Sequence, residues 1–353
     1  MNTTNNVQQI DTSTQVDFNE FVTVSAHVVF PEIVDEDSPM TVQMRKHRHP
    51  DCKASNPHYV PEIDVFKSVM AWWTAPDQLL ALGLYGETGT GKSELLMYIA
   101  DRLNEPVYIE KVTTGLTGER FEGSIELVTD EKGNNVTRKR YGTAITGYIN
   151  GGLVILDEVD KANEDLGTSL HLFAEGKPYN LSNFSETVTK HPNCRITATA
   201  NTIGDGGSDR YITSQRMDSA LRARFGWLST KFLSPLEETN MLAEMYPNLP
   251  TVFIAKMVKT ANVMRDALLG PNRDGDIDAP ISCVFSTRTV VNWGYYTMAF
   301  GTHRSPLAAL EFAFFGSVDR EELPTIKSLL QRLWGDDLEK PLKNVLAEMT
   351  SQH

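Results

Sequence analysis

The chain has 353 residues, enough for about two domains. Its 41% hydrophobic and 22% charged residues are ordinary for a globular protein, and no apolar run approaches the ~18 residues of a transmembrane helix. A net charge of −13 disfavours non-specific nucleic-acid binding, which needs a concentrated positive surface.

The start, Met-Asn-Thr-Thr-Asn-Asn, has neither the basic nor the apolar region of a secretory signal. Cys52, Cys194 and Cys283 lie far apart and read as reduced thiols, so a cytoplasmic location is expected. Residues 1 to about 20 are polar and expected to be mobile. Phe21 to Phe30 could form one strand, and residues 1–54 read as an accessory arm. His47, His49, Cys52 and His58 lack paired metal-ligand spacing, so surface histidines among Arg45, Lys46 and Arg48 are the better account. This basic patch is a candidate subunit contact.

Val65 to Trp73 reads as an amphipathic helix, followed by a buried strand over Leu79–Tyr85. Next comes Gly86-Glu-Thr-Gly-Thr-Gly-Lys-Ser93, the phosphate-binding P-loop pattern. Gly86, Gly89 and Gly91 allow positive φ and close approach to an anion. Glu87, Thr88 and Thr90 complete the loop, whose amides face the phosphates at a helix N-terminus. Lys92 can reach the β- and γ-phosphates, and the Ser93 hydroxyl can ligate Mg²⁺. Leu95, Leu96, Ile99, Ala100 and Leu103 then repeat at helical spacing.

Glu105–Glu110 is a short second strand. Alternating segments Gly123–Thr129 and Val136–Tyr141 bracket a Lys-Gly-Asn-Asn turn, a β-hairpin signal within an insert at about 118–145. Gly152-Leu-Val-Ile-Leu-Asp-Glu158 is a buried strand ending in two carboxylates. Downstream of a P-loop, Asp157 can hold Mg²⁺ and Glu158 can polarise the attacking water; strand-end carboxylates elsewhere merely cap a following helix. Residues 161–175 read as a helix and 176–192 as a loop or second hairpin. The strand Arg195–Asn201 ends in an amide that could position water, although strand-end Asn is common in turns. A glycine-rich loop follows at 204–208, then a short helix ending in Arg222 and Arg224, and a fifth strand over Ser229–Leu233. Strand–helix alternation predicts an α/β fold with a parallel, doubly wound sheet. Beyond Pro235 only helices are expected: 236–246, 251–269, 287–300, 305–317, 320–334 and 337–350. The acidic linker 270–278 is not an EF-hand, since the required Gly and Glu positions hold Ala279 and Phe285.

These motifs together resemble the AAA+ ATPases, and among them the MoxR-like group that includes the cobaltochelatase subunit CobS. Gly86–Ser93 matches Walker A, Leu153–Glu158 matches Walker B, and Ala198–Gly204 is similar to the sensor-1 strand with Asn201 at its Asn. The resemblance spans roughly 55–335 and implies an AAA+ P-loop domain at 55–234 with a hairpin insert, and an all-helical lid domain at 235–353. It implies that Arg224, or Arg222, acts in trans on the neighbouring subunit's nucleotide, and that Arg288 reaches the phosphates from the lid. It further implies Mg-dependent ATP hydrolysis, a ring (a hexamer) and a partner with a von Willebrand A domain. Cobalt insertion into a corrin precursor is the narrower alternative to remodelling of another protein complex. A nucleotide-dependent binding module without turnover and a DNA-processing ATPase are further alternatives.

Overall fold

The computed structural model describes residues 16–75, 79–130, 133–203, 217–269 and 281–350. The expected glycine-rich loop at 204–208, the acidic linker 270–278 and most of the polar N-terminal stretch lie outside them. At the N-terminus β1 (Phe21–Ser25) pairs antiparallel with β2 (Thr41–Arg45), Val24 facing Val42. The strand expected over 21–30 ends at Ser25, and α1 (Ala26–Val29) follows. The helical turn puts Ala26, Val29 and Phe30, all buried, on one face. There Phe30 packs edge-on against Phe66, ring centroids 5.0 Å apart. The strand β2 was not foreseen; Arg45 N–H donates to the Leu103 carbonyl at 3.1 Å, which fixes the arm to the core.

In α2 (Ile63–Thr74) Val65, Phe66, Val69, Met70 and Trp73 are buried at helical spacing. The chain then builds β3 (Ala81–Tyr85), α3 (Lys92–Arg102), β4 (Val107–Lys111) and the short α4 (Gly118–Glu122). The expected hairpin is present as β5 (Gly123–Thr129) and β6 (Asn135–Tyr141). After α5 (Thr143–Asn150) come β7 (Gly152–Asp157) and α6 (Glu164–Ala174). A second hairpin, β8 (Tyr179–Leu181) with β9 (Glu186–Val188), precedes β10 (Cys194–Ala200), α7 (Ser219–Arg222) and β11 (Phe225–Ser229).

Five of these strands form one parallel sheet in the order β11-β3-β10-β7-β4. Alternation along β7 serves both faces. Val154 and Leu156 join the core under α5 and α6, while Leu153 and Ile155 join the one under α2 and α3. The fifth strand starts four residues earlier than expected. Gly226 obscures its pattern, and Trp227 lies over Gly83, where an added Cβ would sit 2.3 Å from its ring.

The C-terminal helices are α8 (Pro235–Met245), α9 (Thr251–Leu269), α10 (Thr287–Ala299), α11 (Pro306–Ala313), α12 (Leu323–Trp334) and α13 (Leu342–Thr350). They enclose their own core around Phe253, Phe285, Trp293 and Trp334. Ser234 and Glu237 form a reciprocal capping box that starts α8 directly after the sheet. Within this region Arg265 makes a two-pronged, fully buried pair with Glu238, at 2.8 and 2.7 Å. The Thr287 hydroxyl donates to the same carboxylate at 2.8 Å, so the pair also fixes the first residue of α10.

Candidate functional site

The P-loop leaves β3 at its carboxyl end and enters α3 through Gly91, which adopts φ 86°, ψ 16° and gives that helix no side-chain cap. A helix N-terminus built this way offers backbone amides and the positive end of the helix dipole to an anion. Gly89 is also left-handed, at φ 81°, and an added Cβ would lie 2.4 Å from the Ser286 Cβ. The loop therefore lies directly beneath the start of α10.

Lys92 is buried and donates to the carbonyls of Gly86 at 2.6 Å and Glu87 at 3.0 Å, and to Asn201 Oδ1 at 3.2 Å. Burial lowers its pKa to about 8, against the pull of Asp160, Glu87, Asp157 and Glu158. Thr88 donates to the same Asn201 oxygen at 3.4 Å, and Thr90 shares a hydroxyl bond of 2.8 Å with Thr230 on the segment after β11. The Ser93 hydroxyl donates to Asp157 Oδ1 at 3.0 Å. Hydroxyl beside the carboxylate that ends β7, two strands along the sheet from β3, is a donor set that suits Mg²⁺, a hard cation taking oxygen ligands. The residues present fit that ion.

Glu158 stands in the left-handed region at φ 61°, ψ 46°, which costs a non-glycine residue about 1–3 kcal/mol. Its N–H donates to the Thr199 hydroxyl at 3.0 Å, and Thr199 donates to Asp157 Oδ1 at 2.7 Å. The Glu158 carboxylate is paired with Lys161 at 2.9 Å and Lys111 at 3.5 Å. Asn201 N–H donates to Asp160 at 3.3 Å, which orients the amide toward Lys92. Thr199, Lys161, Lys111 and Asp160 went unrecognised in the sequence. The spacing of Lys161 three residues beyond Glu158 was an available signal.

A cleft opens between the P-loop, the segment 56–62, α8 and α10. Tyr59, Val60, Met241, Met245 and Val291 give it an apolar wall, while Arg288 and Lys231 supply cations. A pocket of this make-up, flanking a phosphate cradle, suits a planar base and ribose.

Arg222 and Arg224 do not join this cluster. Arg222 donates to the Ile203 carbonyl at 3.1 Å. Arg224 immediately precedes Phe225, which is in register with Ala81, so it lies at the amino end of the sheet. The P-loop leaves the carboxyl end of β3, about 16 Å away at roughly 3.3 Å per residue. That gap exceeds the reach of an arginine side chain. There Arg224 pairs with Glu175 at 2.7 Å and donates to the Ala220 carbonyl at 2.5 Å.

The AAA domain (dynein-related subfamily) matches residues 81–225, from the start of β3 to the start of β11. The aerobic cobaltochelatase subunit CobS of Sinorhizobium sp is 24% identical over 303 residues, covering 84% of this chain and 87% of that protein. The DNA replication licensing factor Mcm5 of Drosophila melanogaster is 29% identical over 133 residues, 36% of this chain and 17% of that protein. Among solved structures, the Thermotoga maritima RuvB Holliday junction branch migration motor overlaps with a TM-score of 0.42 at 13% identity, covering 78% of this chain and 70% of that one. With a Walker-type cradle at the carboxyl edge of a five-stranded parallel sheet, residues 81–225 match the AAA domain family, and the chain resembles CobS along most of its length.

Proposed function

We propose that the protein is an ATP-hydrolysing ring motor that remodels or activates a partner protein complex. The observation that carries this reading is the convergence of Lys92, Ser93, Asp157 and Asn201 at the carboxyl ends of three adjacent strands. Lys92 and the P-loop amides would bind the phosphates, and Arg288 would reach them from α10. Ser93 and Asp157 would hold Mg²⁺, whose charge, when bound, offsets the charge developing on the phosphoryl group. Asn201 would position the attacking water, and Glu158 would accept its proton. The two lysines on Glu158 fix where that carboxylate stands. Arg224 would serve the site of the next subunit, because it lies too far from its own. The assembly would be a hexameric ring of cytoplasmic subunits, and the resemblance to CobS supports a partner with a von Willebrand A domain. No helix among the described residues is long and apolar enough to cross a membrane.

Replacing Glu158 by Gln keeps the side-chain shape and removes the base. The variant is expected to bind ATP as before, with kcat lower by about two to four powers of ten. Wild-type turnover would take the role of base away from Glu158. The same variant, held in its ATP-bound form, is the bait for recovering the partner complex.

A second reading, the ATPase subunit of a cobaltochelatase, is favoured by the similarity to CobS along most of both chains. ATP-dependent cobalt insertion into a corrin precursor, assayed with candidate chelatase subunits added, decides between them. Stimulation of turnover by DNA would instead favour a DNA-processing role, against the −13 net charge.

A further inference from the structure

We infer that Glu175, at the carboxyl end of α6, is a positioning residue for the nucleotide site of the neighbouring subunit, acting through Arg224. The inference rests on the reading of Arg224 as a residue that works in trans. The turn that carries Arg224 is α7, only four residues long, and so short a helix has little stability of its own. Its geometry is imposed by α6 at two points. At the start of α7, the Asp218 carboxylate caps the helix through Leu221 N–H at 3.3 Å and pairs with His171 Nε2 at 2.9 Å. At the far end, Glu175 Oε1 pairs with Arg224 Nη2 at 2.7 Å, while Oε2 is anchored by Lys177, also at 2.7 Å. Leu221 is buried beneath the turn and completes the clamp.

The guanidinium is thus fixed in position and orientation without being used up. It carries five N–H donors, and the bonds to Glu175 and the Ala220 carbonyl engage two. Of the other three the Nε–H is buried, which leaves one N–H on each terminal nitrogen for an anion beyond the edge of the subunit. A flexible arginine at this edge would sample many rotamers, and a misplacement of about 1 Å can cost a hundredfold in rate. The same helix begins three residues beyond Lys161, which pairs with Glu158. One rigid element therefore runs from the chain's own hydrolytic centre to the residue it would lend to the next.

Subunit mixing tests this. Glu175→Ala is expected to lower kcat of the assembled protein by about a hundredfold, with ATP affinity unchanged within about twofold. Glu175→Gln, which keeps an oxygen for Arg224, should recover a large part of the loss. Glu158→Gln subunits have a dead site but an intact arginine turn. Mixing them with Glu175→Ala subunits should restore hydrolysis, as should mixing them with Arg224→Ala subunits. Restoration with Arg224→Ala but not with Glu175→Ala would overturn the role of Glu175 and leave the trans arginine standing. Restoration with neither would overturn both. If Glu175→Ala does not assemble, Glu175→Gln and Glu175→Asp take its place in the mixing, read by the same criteria. Wild-type turnover in every assembled Glu175 variant would also overturn the proposal.

Discussion

At the scale of single residues, the most informative group is Lys92. Burial holds its pKa near 8, so without nucleotide it begins to lose its proton in the mildly alkaline range. Triphosphate oxygens bound beside it would stabilise the ammonium form and raise that pKa in the complex. The sign follows directly. Below about pH 8 Lys92 is charged with or without ligand, and binding moves no proton. Above it, binding must take one up, and affinity falls with rising pH by up to about tenfold per unit. Calorimetric titration in two buffers of different ionisation heat should show uptake above this pH and none a unit below; its absence there would mean that Lys92 does not meet the phosphates. Lys92 could be read from the chain because the P-loop is contiguous and each of its residues answers one demand of a phosphate. The same holds for Asp157 and Glu158 after a buried apolar run. The lysine partners of Glu158 were not legible in the same way. Lys111 comes close only because β4 pairs with β7 in a register that sets Lys111 beside Asp157, and strand order is not written locally.

Elements divide along the same line. The β5–β6 hairpin and the C-terminal helices follow from turn residues and apolar periodicity, which are local signals. The boundaries that moved are those where tertiary packing overrides the local pattern. Ala26 to Phe30 looks strand-like yet turns helical to bury one face, and β11 is defined by its pairing with β3 and by Trp227 over Gly83. The pairing of Glu238 with Arg265 was equally invisible, since α8 and α9 each carry many charges. Its place in the fold makes it testable. Both side chains are essentially inaccessible, and the Arg265 guanidinium also donates to the Phe285 carbonyl at 2.9 Å, just before α10. Glu238→Ala would leave that guanidinium buried and uncompensated, so a loss of about 3–5 kcal/mol is expected in denaturant unfolding. Because Thr287 shares the carboxylate and adjoins Arg288, ATP affinity should fall as well. A variant as stable as wild type would mean that water reaches Arg265 more easily than its burial indicates.

For the whole molecule, the parallel sheet was readable from strand–helix alternation, but the order β11-β3-β10-β7-β4 was not, and that order decides what each subunit can do alone. It brings the P-loop, Asp157 and Asn201 to one edge and leaves Arg224 at the other, separated by the length of β3. On the proposed reading, a subunit arranged in this way would hold most of one hydrolytic site and lend one residue to another. Hydrolysis should therefore depend on assembly while nucleotide binding does not. Turnover per subunit is expected to rise steeply with protein concentration across the range where light scattering reports rings forming. ATP binding by the dilute subunit should persist through Lys92, Ser93 and the cleft beside α10. Arg224→Ala should remove about three powers of ten in kcat from the assembled protein without preventing assembly, since a cation on the γ-phosphate is worth at least that much. Turnover per subunit that stayed constant down to concentrations where only monomers scatter would show that the site is complete within one chain, and would leave Arg222, two residues earlier and bonded beside the Asn201 edge, as the arginine to test next.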